Sequence, residues 1–273
     1  MTLGIDKTIA SSGVQNIGVG NQVQTAGGNY KTNPIKPDSF KKNPVICTPY
    51  NQLDHLYQKV LETVAPSYLL DSYLDEGNVQ KMIAQNPRVQ EILSKYDVPL
   101  EINTNNVKDI KEVHINSTQG YAKGIAEQLN LSNEEKDMIS KGALFHDYGK
   151  ILIPSELLNK TERLTPEEKK IVDLHSALGY EMLKNTSLNE ESLNIVKDHH
   201  KPFHKRPDYK TQIVSVADIY SALRTQRSYK APLTVEQSMA ILKKYSEMGQ
   251  IDPILINALQ KHVNEQNANL IVA

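Results

Sequence analysis

Tryptophan is absent from this sequence of 273 residues, which also has only 3 phenylalanines and a single cysteine, Cys47. A lone cysteine excludes an internal disulfide bond and any zinc module built from several cysteines. Aliphatic residues and 13 tyrosines must therefore form the core, and a hydrophobic fraction of 39% is enough for a core of substantial size.

An excess of charge of either sign is also missing, because 31 lysines and arginines stand against 32 aspartates and glutamates. This balance argues against binding to a nucleic acid polymer or an anionic membrane through bulk charge. No run approaches the ~18 consecutive apolar residues of a membrane-spanning helix. The N-terminus lacks the basic start and apolar run of a secretory signal. We therefore expect a cytoplasmic protein with no membrane or nucleic acid polymer as partner.

Three regions differ in their patterning. Residues 1–47 are mostly rich in Gly, Asn, Gln, Ser and Thr without an apolar period, and we predict a disordered tail. A short partner-binding segment is the alternative for this region. Residues 48–100 begin with Thr48-Pro49, an N-cap followed by proline, and continue with apolar residues at helical spacing. We interpret 48–100 as a helical lead-in.

Residues 101–266 are predicted to form a larger helical domain. Capping boxes begin at Ser132, Thr165 and Thr234, and Asp252-Pro253 is a further N-cap with proline behind it. Apolar residues recur at helical spacing between these starts, and no segment alternates apolar and polar residues for long enough to predict a strand. The predicted fold class is all-α.

Histidine placement is the most informative feature of this domain. Of the 8 histidines, His146 is followed directly by Asp147 at the end of an apolar run, and His199-His200 is a pair. Imidazole and carboxylate together suit Fe, Mn, Zn, Co or Ni. The available donors exceed what one ion takes from protein, which suggests two ions that share a ligand. Each histidine taken alone could equally be a hydrogen-bonded structural residue.

Several motifs in this order resemble the HD superfamily of phosphohydrolases, and more narrowly its HD-GYP branch, whose known members hydrolyse cyclic dinucleotides, chiefly cyclic di-GMP. The resemblance covers about 107–245. The matching segments are the run from His146 to Pro154 (HDYGKILIP), His175 with Gly179, the pair His199-His200, the run 216–223 (VADIYSAL) and the run 227–230 (RSYK).

The resemblance implies an HD-domain helical bundle with two divalent metal ions, Fe or Mn first and Zn, Co or Ni as alternatives. It implies that one ion is held by His114, His146, Asp147 and Asp218. It assigns the second ion to Asp147, His175, His199 and His200, so that Asp147 bridges the two. In the family, a water-derived nucleophile between the ions attacks phosphorus.

Three cationic residues acquire substrate roles from the same resemblance. Lys150 would steady the phosphate or its developing charge and, with Asp147, would be catalytic. Arg227 and Lys230 would contact substrate phosphate. A guanidinium offers a planar fork to phosphate oxygens, whereas a lysine offers a mobile point charge.

Two positions depart from the family pattern. Ile110 stands where members with three metals place a glutamate one helical turn before the first histidine, so the resemblance implies two ions rather than three. The Gly-Tyr-Pro signature is missing after His200, and the loop that follows, beginning at Lys201-Pro202, is shorter than in the family. That loop shapes the dinucleotide pocket in the family, so its loss bears on substrate identity more than on metal chemistry.

The replacement loop is basic, with Lys201, His204, Lys205, Arg206 and Lys210 close together. It is either an anion-facing rim over the metals or a solvated surface turn shaped by its prolines. The sequence does not decide between the two.

The leading functional prediction is a metal-dependent phosphodiesterase that acts on a cyclic dinucleotide or a related nucleotide second messenger. The first alternative is an HD-type nucleotidase or phosphomonoesterase, which the shortened loop favours. The second is a non-catalytic nucleotide-binding regulatory module, although the dinuclear ligand set is complete in this sequence. A homodimer is compatible with the sequence.

Overall fold

The computed structural model describes residues 70, 73–104, 106, 116–205, 208–225 and 231–272. Throughout these residues the regular structure is helical and no strand occurs, which confirms the all-α prediction. The predicted tail, 1–47, and the first part of the lead-in, 48–69, lie outside the described residues.

The described residues form ten α-helices and two 3-10 helices. In chain order they are α1 (Glu76–Ala84), α2 (Pro87–Ser94), α3 (Asn116–Gln128), α4 (Asn133–Phe145), a 3-10 helix (Tyr148–Leu152), α5 (Ser155–Leu158), α6 (Pro166–Leu183), α7 (Glu190–Asp198), a second 3-10 helix (Phe203–Lys205), α8 (Tyr209–Arg224), α9 (Val235–Glu247) and α10 (Pro253–Val272).

The predicted helix starts are confirmed by their capping geometry. Ser132, Thr165 and Thr234 each accept a hydrogen bond from the main-chain N–H three residues on. In each case the side chain of the Glu or Gln at that third position accepts a hydrogen bond from the main-chain N–H of the capping residue. Asp252 accepts from the N–H of Ile254 at 2.9 Å at the start of α10. Local side chains therefore satisfy N–H groups that have no partner within the helix.

The first of two core clusters joins α3, α4, α7, α8, α9 and α10. Its central side chains, such as Ile125, Ile139, Ile195 and Leu259, are fully buried. At the crossing of α4 and α7, a Cβ added to Gly142 would lie only 2.6 Å from the Cδ1 atom of Ile195. A glycine is needed at this position because any larger residue would push the two helices apart.

The second core cluster packs the described part of the lead-in onto the helices after it. Val79, Val89 and Leu93 share this cluster with Phe145 and Leu178. Hydrogen bonds also connect the lead-in to these helices. The hydroxyl of Tyr148 donates to the main-chain carbonyl of Tyr73 at 2.5 Å, and the amide of Asn86 donates to the carbonyl of Glu181. The boundary at residue 100 stays a prediction, and the lead-in abuts the segment that carries Asp147.

Among the helices that the structure describes, none combines the length and apolar character needed to cross a membrane.

Candidate metal centre

The candidate ligands converge from four helices on one buried point. His146 is the C-cap residue of α4 and Asp147 follows it; His175 lies on α6, His199 is the C-cap residue of α7 with His200 behind it, and Asp218 lies on α8. Their exposed fractions are 0% for His146, 1% for Asp147, 2% for His175, 1% for His199 and 6% for Asp218. Buried polar groups at this density require partners or a bound ion.

The carboxylate of Asp147 lies between two groups of imidazoles. Its Oδ2 atom is 3.3 Å from Nε2 of His146, and its Oδ1 atom is 3.3 Å from Nε2 of His175. The Nε2 atom of His146 is also 3.6 Å from Oδ1 of Asp218. The two oxygens of one carboxylate therefore face different ligand groups, which is the arrangement that a bridging ligand needs.

The tautomers of three histidines follow from their own helices. Nδ1 of His146 lies 2.7 Å from the carbonyl oxygen of Ala143, and Nδ1 of His199 lies 2.8 Å from that of Val196. His175 makes the same contact three residues back, to Val172, at 2.6 Å. A carbonyl can only accept, so Nδ1 carries the proton and Nε2 of each neutral ring presents a lone pair. Such a bond orients a metal-binding imidazole.

Three of the Nε2 atoms lie close enough to share one cation. Nε2 of His175 is 3.3 Å from Nε2 of His199 and 3.2 Å from Nε2 of His200. These three residues form a group whose ligand atoms all lie within 4.8 Å of one another. Lone pairs that face each other at this distance repel unless a proton or a metal ion lies between them. The described residues therefore fit a metal ion at this point.

The pKa values of His146 and Asp147 are shifted by the charges around them. Burial disfavours protonation of His146, but the carboxylates of Asp147 and Asp218 outweigh it and raise the pKa of His146 to about 10. Burial disfavours the charged form of Asp147 as well, but Lys150 and His146 lower the pKa of this carboxyl well below its usual value. This half of the site favours a bound cation.

The opposite half keeps its imidazoles neutral. Burial lowers the pKa of His175, and burial together with the neighbouring His175 lowers the pKa of His200 to about 3. Burial and the neighbouring His200 lower the pKa of His199 well below its usual value. Neutral imidazole is the form that binds metal, so these side chains are ready to act as ligands near pH 7.

Lys150 lies at the edge of the ligand group. Its Nζ atom donates to Oδ2 of Asp147 at 2.6 Å, and its side chain keeps 22% of its surface exposed. The ammonium group is thus held beside the candidate bridging carboxylate with one side open to solvent. Its role toward phosphate stays a prediction.

Two glycines allow the turn after Asp147 to approach α6. A Cβ on Gly149 would lie 2.1 Å from the carbonyl oxygen of His175 and 2.5 Å from the main-chain nitrogen of Gly179. A Cβ on Gly179 would lie 3.1 Å from the nitrogen of Gly149. The absence of side chains at both positions allows the two main chains to be in contact, and this places Asp147 beside His175.

Two residues near the site were missed by the sequence analysis. The hydroxyl of Ser176 lies 3.3 Å from Nε2 of His175, a contact that the serine after a family histidine could have suggested. Asn106 donates its side-chain amide to two carbonyls of the 148–153 segment. Nothing in the sequence singled out Asn106, because both of its partners are main-chain carbonyls far along the chain.

Some predicted residues lie outside the described part of the chain. These are the candidate ligand His114, the position Ile110, and the candidate phosphate-binding residues Arg227 and Lys230. Their roles remain predictions.

The basic loop after His200 is described in part. Lys201 Nζ lies 2.5 Å from Oδ1 of Asp198, and Lys210 Nζ lies 2.9 Å from Oε2 of Glu191. Both lysines therefore have carboxylate partners, and the two interpretations of the loop stay predictions. The side chain of His204 and all of Arg206 lie outside the described residues.

Comparison with known proteins gives one family. The HD domain family matches residues 87–255, which is more than half of the chain and includes every described candidate ligand. The match begins at α2, inside the predicted lead-in.

Several relatives carry names that state a phosphodiesterase activity. The cyclic di-GMP phosphodiesterase response regulator RpfG of Xanthomonas campestris is 36% identical over 149 residues, covering 50% of this chain and 39% of that protein. The 3'3'-cGAMP-specific phosphodiesterase 2 of Vibrio cholerae is 26% identical over 245 residues, covering 85% of this chain and 45% of that protein. The chain thus spans less than half of the length of either relative.

A solved structure, that of the HD domain of the Listeria monocytogenes phosphodiesterase PgpH, aligns with a TM-score of 0.46 and 19% identity. The alignment covers 66% of this chain and 98% of the PgpH chain.

Proposed function

Because this chain belongs to the HD domain family, we propose that it is a metal-dependent phosphodiesterase that hydrolyses a cyclic dinucleotide of the cyclic di-GMP type at a dinuclear metal centre. The names of its relatives support the substrate class, since they include phosphodiesterases for cyclic di-GMP and for 3'3'-cGAMP.

One observation carries the proposal. The two carboxylate oxygens of Asp147 lie 3.3 Å from Nε2 of His146 and 3.3 Å from Nε2 of His175, on separate ligand groups. A single buried carboxylate with histidines at both oxygens suits two ions better than one.

The residues that would hold the ions follow the same division. One ion would bind His114, His146, Asp147 and Asp218, and the other would bind Asp147, His175, His199 and His200. Such ions supply Lewis acidity, which activates water as a nucleophile and offsets the charge of a phosphoryl group. Mixed imidazole and carboxylate donors are compatible with Fe or Mn first, and with Zn, Co or Ni as alternatives.

The side chains around the ions would bind and orient the phosphodiester. Lys150, held at 2.6 Å from Asp147 with part of its surface exposed, would direct its ammonium group toward a phosphate oxygen. Arg227 would supply a planar pair of donors to the phosphate and Lys230 a second cation. The buried core behind the ligands excludes water from the far side and so strengthens these charge interactions.

A hydrolysis panel tests the proposal. The protein is purified anaerobically, loaded with Fe²⁺ or with Mn²⁺, and offered cyclic di-GMP, 3'3'-cGAMP, cyclic di-AMP and nucleoside monophosphates. We expect opening of at least one cyclic dinucleotide, and loss of that activity on addition of a chelator. His175→Ala, which removes one ligand, should be inactive on the same substrate.

A nucleotidase acting on monoesters is the second candidate, and the short loop after His200, which lacks Gly-Tyr-Pro, favours it. Release of phosphate from monophosphates without cleavage of any dinucleotide would establish this alternative. Tight binding of a cyclic dinucleotide without turnover, in protein that retains its metal, would instead indicate a regulatory module.

A further inference from the structure

The 3-10 turn Tyr148–Leu152 connects the candidate bridging ligand to Lys150, and its position determines where both side chains lie. Asp147 is the residue before this turn, but its side chain does not cap it. The carboxylate faces His146 and His175 instead. Main-chain bonds hold the turn internally, from the N–H of Lys150 to the carbonyl of Asp147 at 2.9 Å and from the N–H of Ile153 to the carbonyl of Lys150 at 3.1 Å. Its position relative to the helices depends on groups from other parts of the chain.

Asn106 supplies such groups. Its side-chain nitrogen donates to the carbonyl oxygen of Lys150 at 3.1 Å and to that of Ile153 at 2.8 Å. Close by along the chain, the main-chain N–H of Asn103 donates to the carbonyl of Ile151 at 2.7 Å. Both partners of the Asn106 side chain can only accept, so the amide nitrogen rather than the oxygen must face the turn.

The contact is buried and specific. Asn106 is 3% exposed, and the amide spans two carbonyls that stand three residues apart on the turn. An amide with two donor hydrogens satisfies this pair, whereas a carboxylate of the same shape would present only acceptors to it. Loss of the amide would leave buried carbonyl groups without this donor, so the turn would shift to find others.

We propose that Asn106 is a positioning residue of the metal centre, which acts through the main chain of Lys150 to hold Lys150 and Asp147 in register with the ligand histidines. Lys150 connects Asn106 to Asp147, since its main-chain carbonyl accepts a hydrogen bond from Asn106 and its ammonium group donates one to Asp147. The expected effect on kcat rests on the proposed function, whereas the expected effect on Mn²⁺ affinity can be measured separately.

Asn86 offers a matched control. It is also a buried asparagine, 4% exposed, and its side-chain nitrogen also donates to a main-chain carbonyl on another element. Its partner is Glu181 on α6, and no Asn86 bond goes to the 148–153 turn among the described hydrogen bonds. Asn86→Ala should therefore reproduce the loss of stability without the effect on the metal centre.

The experiment compares Asn106→Ala, Asn106→Ser and Asn86→Ala with the wild-type protein. Mn²⁺ affinity is measured by competition with a chelator, and kcat and KM are measured on the cyclic dinucleotide that the wild type hydrolyses. Every variant is assayed at the same interval below its own Tm, so that a difference in stability does not enter the comparison.

We expect Asn106→Ala to weaken Mn²⁺ binding by about 10-fold, in the range found for groups that orient metal ligands. Its kcat should fall by about 10-fold with KM changed by less than about twofold, because the interaction acts on the reacting groups rather than on substrate binding. Asn106→Ser retains one donor and should show a smaller loss of both quantities. Asn86→Ala should match the wild type in both.

Mn²⁺ affinity and kcat of the Asn106 variants equal to those of Asn86→Ala would overturn the positioning role. If Asn106→Ala does not fold, the serine variant decides by the same comparison. A wild-type protein that binds Mn²⁺ but cleaves no dinucleotide would reject the proposed function instead, and the Mn²⁺ affinities would still test Asn106.

Discussion

Asp147 is a carboxylate buried to 1% exposure, and such a group is stable only when cations or hydrogen-bond donors compensate its charge. Lys150 provides one partner at 2.6 Å, and the histidines on either side supply the others. The charge of Asp147 is therefore stabilised by these neighbouring groups, and the same histidines suit two metal ions.

Gly149→Ala adds only one methyl group, but it should disrupt the metal centre. The new methyl group would lie 2.1 Å from the carbonyl oxygen of His175, so the turn would have to move away from α6. Overpacking of this kind costs about 1–3 kcal/mol of stability. Thermal unfolding and metal analysis should both show a loss. Gly77→Ala is the control, because its methyl group would meet only the Asp75 carboxylate, at 3.2 Å; an equal loss there would contradict the argument.

Arg227→Ala should lower kcat/KM by about 10-fold or more, equivalent to about 1.4 kcal/mol of transition-state binding. The reason is the planar phosphate contact proposed for Arg227, which would matter more without the Gly-Tyr-Pro signature in the preceding loop. Metal content and Tm should stay near those of the wild type. Unchanged turnover of every active substrate in both Arg227→Ala and Lys230→Ala would reject the assignment.

At the scale of elements, the crossing of α3 and α10 depends on a histidine packed against a glycine. A Cβ on Gly124 would lie 2.3 Å from ring atoms of His262, and His262 itself is 6% exposed. His262 lies between Leu259 and Val263, which both belong to the first core cluster. Since His262 is not one of the candidate ligands, we interpret it as a structural residue that packs the two helices together.

His262 should make the protein less stable in acid. Burial lowers its pKa below the ordinary value, and the opposing charges of Glu127 and Glu265 do not restore it. The unfolded chain takes up the proton near pH 6.5, before the folded state does, so stability is present above about pH 6.5 and falls as the pH drops below it. Tm measured from pH 7.5 to 5 should therefore fall less in His262→Gln than in the wild type. Parallel curves would contradict this account.

Helix starts could be predicted from the sequence because they depend on neighbouring residues. Thr165 and Glu168, for example, form their capping box within four residues. The meeting of His175 with His199 and Asp147 is non-local, and only the resemblance to a known family indicated it. Asn106 could not be predicted at all, since its partners lie 44 and 47 residues away and its type carries no signature.

At the scale of the whole molecule, the described lead-in and the helices after it share one core cluster. Val79 and Val89 are fully buried in it with Phe145, which directly precedes His146. The described part of the lead-in is therefore packed directly against the end of α4, where His146 lies.

Removal of residues 1–44 should leave Tm and metal content unchanged. This segment lacks a periodic apolar face in the sequence, so it has little to contribute to either core. The two forms are compared by thermal unfolding and metal analysis at equal concentration. A decrease in Tm of more than a few degrees in the shortened form would show that the segment packs on the helices.

If Asp147 joins two metal ions, the number of ions bound per chain should change completely in Asp147→Ala. Asp173→Ala serves as the control, since Asp173 lies on α6 and pairs with Lys169 at 2.7 Å. Metal analysis after anaerobic purification should find two ions per chain in the wild type and in Asp173→Ala, and none in Asp147→Ala, because both ions lose a shared ligand. Full metal content in Asp147→Ala would show that Asp147 does not bridge two ions.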